Sequence, residues 1–115
     1  MARLTTHVLN TAAGIPAAGM AVRLLRGETR AVIRETRTGA DGRCDAPLLE
    51  GAAFVSGRYV LAFSVADYFR TQKTPLADPP FLDVVEIAFG ISDNTAHYHV
   101  PLLVSPWAYS TYRGS

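Results

Sequence analysis

Hydrophobic and polar positions alternate along much of this chain. In Tyr59-Val60-Leu61-Ala62-Phe63-Ser64-Val65 the large residues Tyr59, Leu61, Phe63 and Val65 fall on one face of an extended segment, and Val60, Ala62 and Ser64 fall on the other. Val85, Ile87 and Phe89 repeat the pattern around Glu86 and Ala88. A period of two belongs to strands rather than helices. Turn signals separate the apolar runs: Gly14-Ile15-Pro16, Gly27-Glu28, Gly39-Ala40-Asp41-Gly42, Glu50-Gly51, Pro79-Pro80 and Ser92-Asp93-Asn94. Short apolar runs at that spacing predict an all-β sandwich or barrel of about eight strands. The strands are expected at 5–11, 19–26, 30–38, 58–66, 83–90, 95–104 and 107–112, with a short one near 52–54. Ala66-Asp67-Tyr68-Phe69-Arg70-Thr71-Gln72-Lys73 breaks the alternation with good helix formers, and Asp67 is a candidate N-cap. Pro75, Pro79 and Pro80 follow and stop the one short helix this predicts.

Composition narrows the class. A chain of 115 residues suits a single domain, 1–115. With 49% hydrophobic and 18% charged residues it has material for a core and is no candidate for disorder. The net charge of +1 and the lack of any like-charge block make nucleic acid and acidic membrane surfaces poor partners. Ten Arg stand against one Lys, Lys73. The one cysteine, Cys44, excludes an internal disulfide and a zinc site built from two or more cysteines of the chain. The N-terminal stretch lacks an apolar h-region and no apolar run approaches a membrane span, so a cytoplasmic protein is expected.

Candidate chemistry lies near the two ends. His97 and His99 sit two apart on an expected strand and so share a face, with Tyr98 turned to the core beside Val100 and Leu102. His7 is the third histidine, on another strand. An imidazole titrates near neutral pH and suits proton transfer. The bland alternative is three polar surface residues. A sharper one is zinc held by three histidines with a fourth position for water, but no Asp or Glu lies in the His97–His99 segment. Arg43 is not needed by the Asp41-Gly42 turn and could bind the carbonyls or anionic face of a planar ligand; alone, it reads as a solvated loop residue. The ending Tyr112-Arg113-Gly114-Ser115 gathers aromatic, guanidinium, hydroxyl and carboxylate groups after a strand, where a chain usually frays. Cys44 reads as a partly buried apolar residue, and Trp107, Tyr109 and Thr111 as core or subunit contact.

These residues resemble a known family. His7-Val8-Leu9-Asn10, Gly14-Ile15-Pro16-Ala17 and Met20-Ala21-Val22 are similar to the N-terminal signature of the transthyretin family. His97-Tyr98-His99-Val100-Pro101-Leu102-Leu103 and Tyr112-Arg113-Gly114-Ser115 resemble its 5-hydroxyisourate hydrolase branch, and the resemblance covers essentially the whole chain. It implies an all-β, two-sheet transthyretin-like sandwich with one short helix, a homotetramer with sites at the dimer–dimer interface, and no cofactor or metal. The implied reaction is hydrolysis of a cyclic amide of 5-hydroxyisourate, in urate catabolism, to 2-oxo-4-hydroxy-4-carboxy-5-ureidoimidazoline. Carried over to this chain, the catalytic residues are His7, Arg43 and His99. Substrate would be bound by His7, Arg43, Tyr112 and Ser115, with His97, Arg113 and Gly114 beside them. His7 or His99 is the general base, and the sequence does not choose. Asn10 departs from the Asp common in relatives, and Cys44 stands where Thr or a similar residue is common. The competing readings are a non-enzymatic small-ligand carrier of the transthyretin type and a plain interaction module. The carrier branch has Lys in place of His7 and lacks the Tyr-Arg-Gly-Ser ending.

Overall fold

The computed structural model describes residues 2–115. Its first sheet is a three-stranded and a four-stranded part laid end to end, built on two interrupted strands that run parallel. One comprises β1 (Arg3–Thr5) and β2 (Val8–Asn10). The partner, from the far end of the sequence, comprises Tyr98–His99 and Leu102–Val104. Leu4 lies opposite Tyr98 and Val8 opposite Leu102, so one register runs through both halves. The Val100 N–H donates to the Thr5 carbonyl and the Leu102 N–H to the His7 carbonyl, both at 2.9 Å. Pro101 falls between these two donors, so its missing N–H removes no bond to the first strand.

Three short strands extend this sheet: β3 (Ile15–Pro16) beside β2, Leu49–Glu50 beside β1, and Tyr109–Thr111 beside Leu102–Val104. The second sheet is antiparallel. In chain order its strands are β4 (Ala21–Arg26), β5 (Val32–Arg37), β7 (Gly57–Ser64) and β8 (Val84–Ile91), with Leu49–Glu50 intervening as β6. The spatial order is β5-β4-β7-β8. Tyr98–His99 is then β9, Leu102–Val104 is β10 and Tyr109–Thr111 is β11.

Between the sheets Leu4, Val8, Leu102 and Val104 meet Val22, Leu24, Leu61 and Phe63, all fully buried. Alternation then decides the site. Leu4, Thr6, Val8 and Asn10 point inward, and so do Tyr98, Val100, Leu102 and Val104. Thr5, His7, His97 and His99 therefore lie on the outer face. The inward polar groups are satisfied: the Thr6 hydroxyl donates to the Val100 carbonyl at 2.7 Å, and the Asn10 side-chain amide donates to the Tyr68 hydroxyl at 3.2 Å.

The helix α1 (Val65–Thr71) leaves β7 without a break, so it starts earlier than expected and Asp67 is not its cap. The N–H groups of Val65 and Ala66 donate to the Asp83 carbonyl instead, and Asp67, within the first turn, pairs with Arg70 at 2.8 Å. At the other end Lys73 takes a left-handed φ of 59° and the Thr74 N–H reaches back to the Phe69 carbonyl. The strand expected near 52–54 is a 3-10 turn, Gly51–Ala53, directly after β6. The segment 30–38 starts its strand late because Arg30, at φ 61°, belongs to the preceding turn. The 107–112 strand begins only at Tyr109, because the Ser105 hydroxyl holds the N–H groups of Trp107 and Ala108 in a turn.

Candidate active site

The outer face of β1, β2 and β9 forms the floor of a cleft of about 580 Å³. His7, Arg43, His97, His99, Tyr112 and Ser115 all line it, with Arg3, Thr5, Thr6 and the stretch Cys44–Pro47.

Arg43 reaches the cleft through its turn. Gly42 sits at φ +81°, and a Cβ there would stand 2.5 Å from the Val8 carbonyl oxygen, so only glycine lets the loop lie this close to β2. The Val8 N–H donates to the Gly42 carbonyl at 2.9 Å, the Asp41 carboxylate accepts from the Arg43 N–H at 2.9 Å, and Arg43 bridges His7 as a single antiparallel pair. The same turn holds His7, whose Nε2 lies 3.1 Å from the Asp41 carbonyl oxygen.

His99 is held from two sides. Its backbone N–H and carbonyl pair with Gly114 at 3.2 and 2.7 Å, which lays the C-terminal segment along β9. Its Nδ1 lies 2.8 Å from the Thr5 hydroxyl. Burial, then the charge of Arg43, then His7 and His97, push its pKa below the ordinary value of 6.5. His97 is 3.4 Å from the same Thr5 hydroxyl through Nε2, and its Nδ1 is buried without a partner. Burial raises the pKa of Cys44, which suits a packed thiol rather than a nucleophile.

Two residues carried over from the family pattern stand apart. Arg113 lies with its guanidinium 4.2 Å above the Tyr98 ring and reaches the His97 carbonyl at 3.4 Å; it does not line the cleft. Gly114 does not line it either, but packs on His99. Thr5 was missed by the sequence reading. Its signal was its place two residues before His7, on the same strand face. Among the described residues no group of three His, Cys, Asp or Glu is placed to hold a metal ion. His97 Nε2 and His99 Nδ1 both face the Thr5 hydroxyl, at 3.4 and 2.8 Å.

Known proteins align over nearly the full length of this chain. The profile of the HIUase/Transthyretin family matches residues 4–114. A 5-hydroxyisourate hydrolase of Ralstonia nicotianae is 58% identical, over 100% of this chain and 100% of its own. The crystal structure of an (S)-allantoin synthase superposes with a TM-score of 0.94 at 44% identity, over 99% of this chain, which spans 44% of that one. Sea bream transthyretin in complex with thyroxine superposes with a TM-score of 0.86 at 26% identity, over 97% of this chain and 94% of its own.

Proposed function

Because this chain belongs to the HIUase/Transthyretin family, we infer that it is a hydrolase of 5-hydroxyisourate and that the ring opens in the cleft lined by His7, Arg43 and His99. The hydrolase assignment stands on full-length relatives of that name, at 58% identity in the case of the Ralstonia protein. The placement of the site rests on one observation: groups far apart in the sequence, His7 and Arg43 with His97, His99, Tyr112 and Ser115, line a single cleft of about 580 Å³.

The chemistry follows from what the bond requires. Water must lose a proton as it attacks the ring carbonyl, the oxyanion must be stabilised, and the leaving nitrogen must gain a proton. An imidazole suits the proton steps near neutral pH. The Arg43 guanidinium supplies fixed positive charge to the ring carbonyls or the developing oxyanion. Tyr112 and Ser115 orient the ring, and such positioning contributes several kcal/mol, of the order of 7 or more in well-aligned cases. Arg113 and Gly114 serve by holding the C-terminal segment in place. No covalent nucleophile and no metal are needed, since the substrate ring is already activated.

A single domain, a cytoplasmic location and a homotetramer with the cleft at a dimer–dimer interface complete the reading. Exposed Trp107, Tyr109 and Tyr112 support the assembly. The carrier reading is not favoured, since the cleft is lined by imidazole and guanidinium groups where a channel for an apolar ligand calls for apolar walls. The test is the decay of freshly made 5-hydroxyisourate, followed by ultraviolet absorbance with and without protein. Decay at the uncatalysed rate overturns the hydrolase reading.

A further inference from the structure

His7 and His99 line the same cleft but are held by chemically different partners. A carbonyl oxygen only accepts, so the contact between His7 Nε2 and the Asp41 carbonyl requires the hydrogen on Nε2. The opposite ring nitrogen, Nδ1, then carries a free lone pair. The edge of the ring toward the turn agrees: His7 Cδ2 is the atom a Cβ on Gly42 would meet at 3.1 Å, so Nδ1 faces away from the turn.

His99 faces a hydroxyl, which has one hydrogen to give. Thr5 Oγ1 lies between His99 Nδ1 at 2.8 Å and His97 Nε2 at 3.4 Å. If Thr5 donated to His97, neutral His97 would carry its hydrogen on Nδ1, which is buried without a partner. A buried orphan N–H costs more than a buried unpaired lone pair. The favoured chain therefore runs from His97 Nε2–H to Thr5 Oγ1, and from Thr5 Oγ1–H to His99 Nδ1. That leaves the hydrogen of His99 on Nε2, the nitrogen with no protein partner among the described residues.

We propose that these partners fix the roles of the two cleft histidines: Thr5, held against His97, makes His99 an Nε2–H hydrogen-bond donor, and the Asp41 carbonyl makes His7 Nδ1 the base that deprotonates water. The proposal rests on the hydrolase reading of the cleft. In the reaction, His7 Nδ1 takes a proton from water while the water oxygen bonds to the ring carbonyl carbon. The carbonyl electron pair moves to oxygen, where His99 Nε2–H and Arg43 meet the charge. Collapse breaks the carbon–nitrogen bond, and His7 returns its proton to the leaving nitrogen. His99 keeps its proton throughout and acts as a neutral donor, which fits the burial and the Arg43 charge that lower its pKa. Thr5 is a positioning residue, acting through His99.

Long-range proton–nitrogen NMR on the full, substrate-free chain labelled at histidine reads the tautomers without any activity. The expected result is Nε2–H on both His7 and His99; a neutral His99 protonated at Nδ1 overturns the proposal even if the protein hydrolyses 5-hydroxyisourate. A protein that shows the expected tautomers but no hydrolysis removes the functional reading instead. Kinetics give a second arm. Glutamine can donate where Nε2–H stood but cannot act as a base, so His99→Gln should lose about tenfold in kcat and His7→Gln about a hundredfold or more. The reverse order overturns the proposal. Thr5→Val should lower kcat about tenfold and Thr5→Ser should restore it. KM should stay within about twofold in both. Parent kcat in folded Thr5→Val also overturns it.

Discussion

At His99 nearly every contact can be traced to a residue whose identity matters. Thr5 takes one ring nitrogen, Gly114 pairs with the backbone, and a Cβ on Gly114 would press within 3.2 Å of the His99 Cβ. Burial first, then Arg43, His7 and His97, hold its pKa below 6.5. The sign for stability follows. Below that value the unfolded chain takes up a proton at His99 and the folded chain does not, so stability falls as pH falls through 6.5, until the folded group protonates as well. Urea midpoints at about pH 7.5 and about pH 5.5 should therefore drop further in the parent than in His99→Gln, and an equal drop would count against this origin. At this scale the sequence showed that His97 and His99 share a face and that Tyr98 turns inward. It did not show Thr5, because nothing local says that Thr5 will lie across from His99 on a parallel partner. Nor did it show Arg113 turning onto the Tyr98 ring, a matter of side-chain direction that spacing does not carry.

The elements were legible in proportion to their length. β7 and β8, eight residues each, carry enough period to be read directly. β3 and β6, two residues each, carry none, and form only because the long strands offer partners. The helix was read too late by one residue, since its first N–H groups are met by the Asp83 carbonyl from outside the segment rather than by a local cap. Its end invites a substitution. Lys73, exposed at φ 59°, holds a left-handed conformation that costs a non-glycine residue about 1–2 kcal/mol, partly offset by the greater unfolded-state entropy of glycine, so Lys73→Gly should raise unfolding stability by roughly 0.5–1 kcal/mol in urea denaturation. The C-terminal segment makes the opposite case. Removing 112–115 takes away Tyr112 and Ser115 from the cleft, both backbone bonds to His99 and the guanidinium over the Tyr98 ring, while every residue of the core cluster remains. Turnover should fall by about a hundredfold or more with an unchanged strand-dominated circular dichroism spectrum. Parent activity in the folded, shortened chain would remove the segment from the site.

Taken whole, the molecule leaves large apolar groups on its surface: Trp107 is 65% exposed and Tyr109 47%, both in or next to β11 at the edge of the first sheet. An open edge flanked by aromatics favours pairing between copies. Light scattering should give about four times the chain mass of 12.4 kDa at micromolar concentration, and a stable monomer would overturn the assembly. The all-β class was legible at this scale because turn spacing and period together specify it, whereas the choice of sandwich over barrel rested on the family resemblance. The pairing of β1 with β9 and of β2 with β10 was not legible, since that depends on residues far apart in sequence. That pairing has a consequence for how the chain is made. Thr5 and His99 are 94 residues apart, and translation at about 5–20 residues per second puts roughly five to twenty seconds between them. For that interval the first strand leaves the ribosome without its parallel neighbour, while β4, β5, β7 and β8 can already pair with one another. Long-range parallel pairing is slow and leaves edges open to aggregation. The cleft is thus the last part of the protein to come into being, and a stall in its synthesis short of residue 97 yields a chain with most of its core sequence and no pair of facing histidine strands.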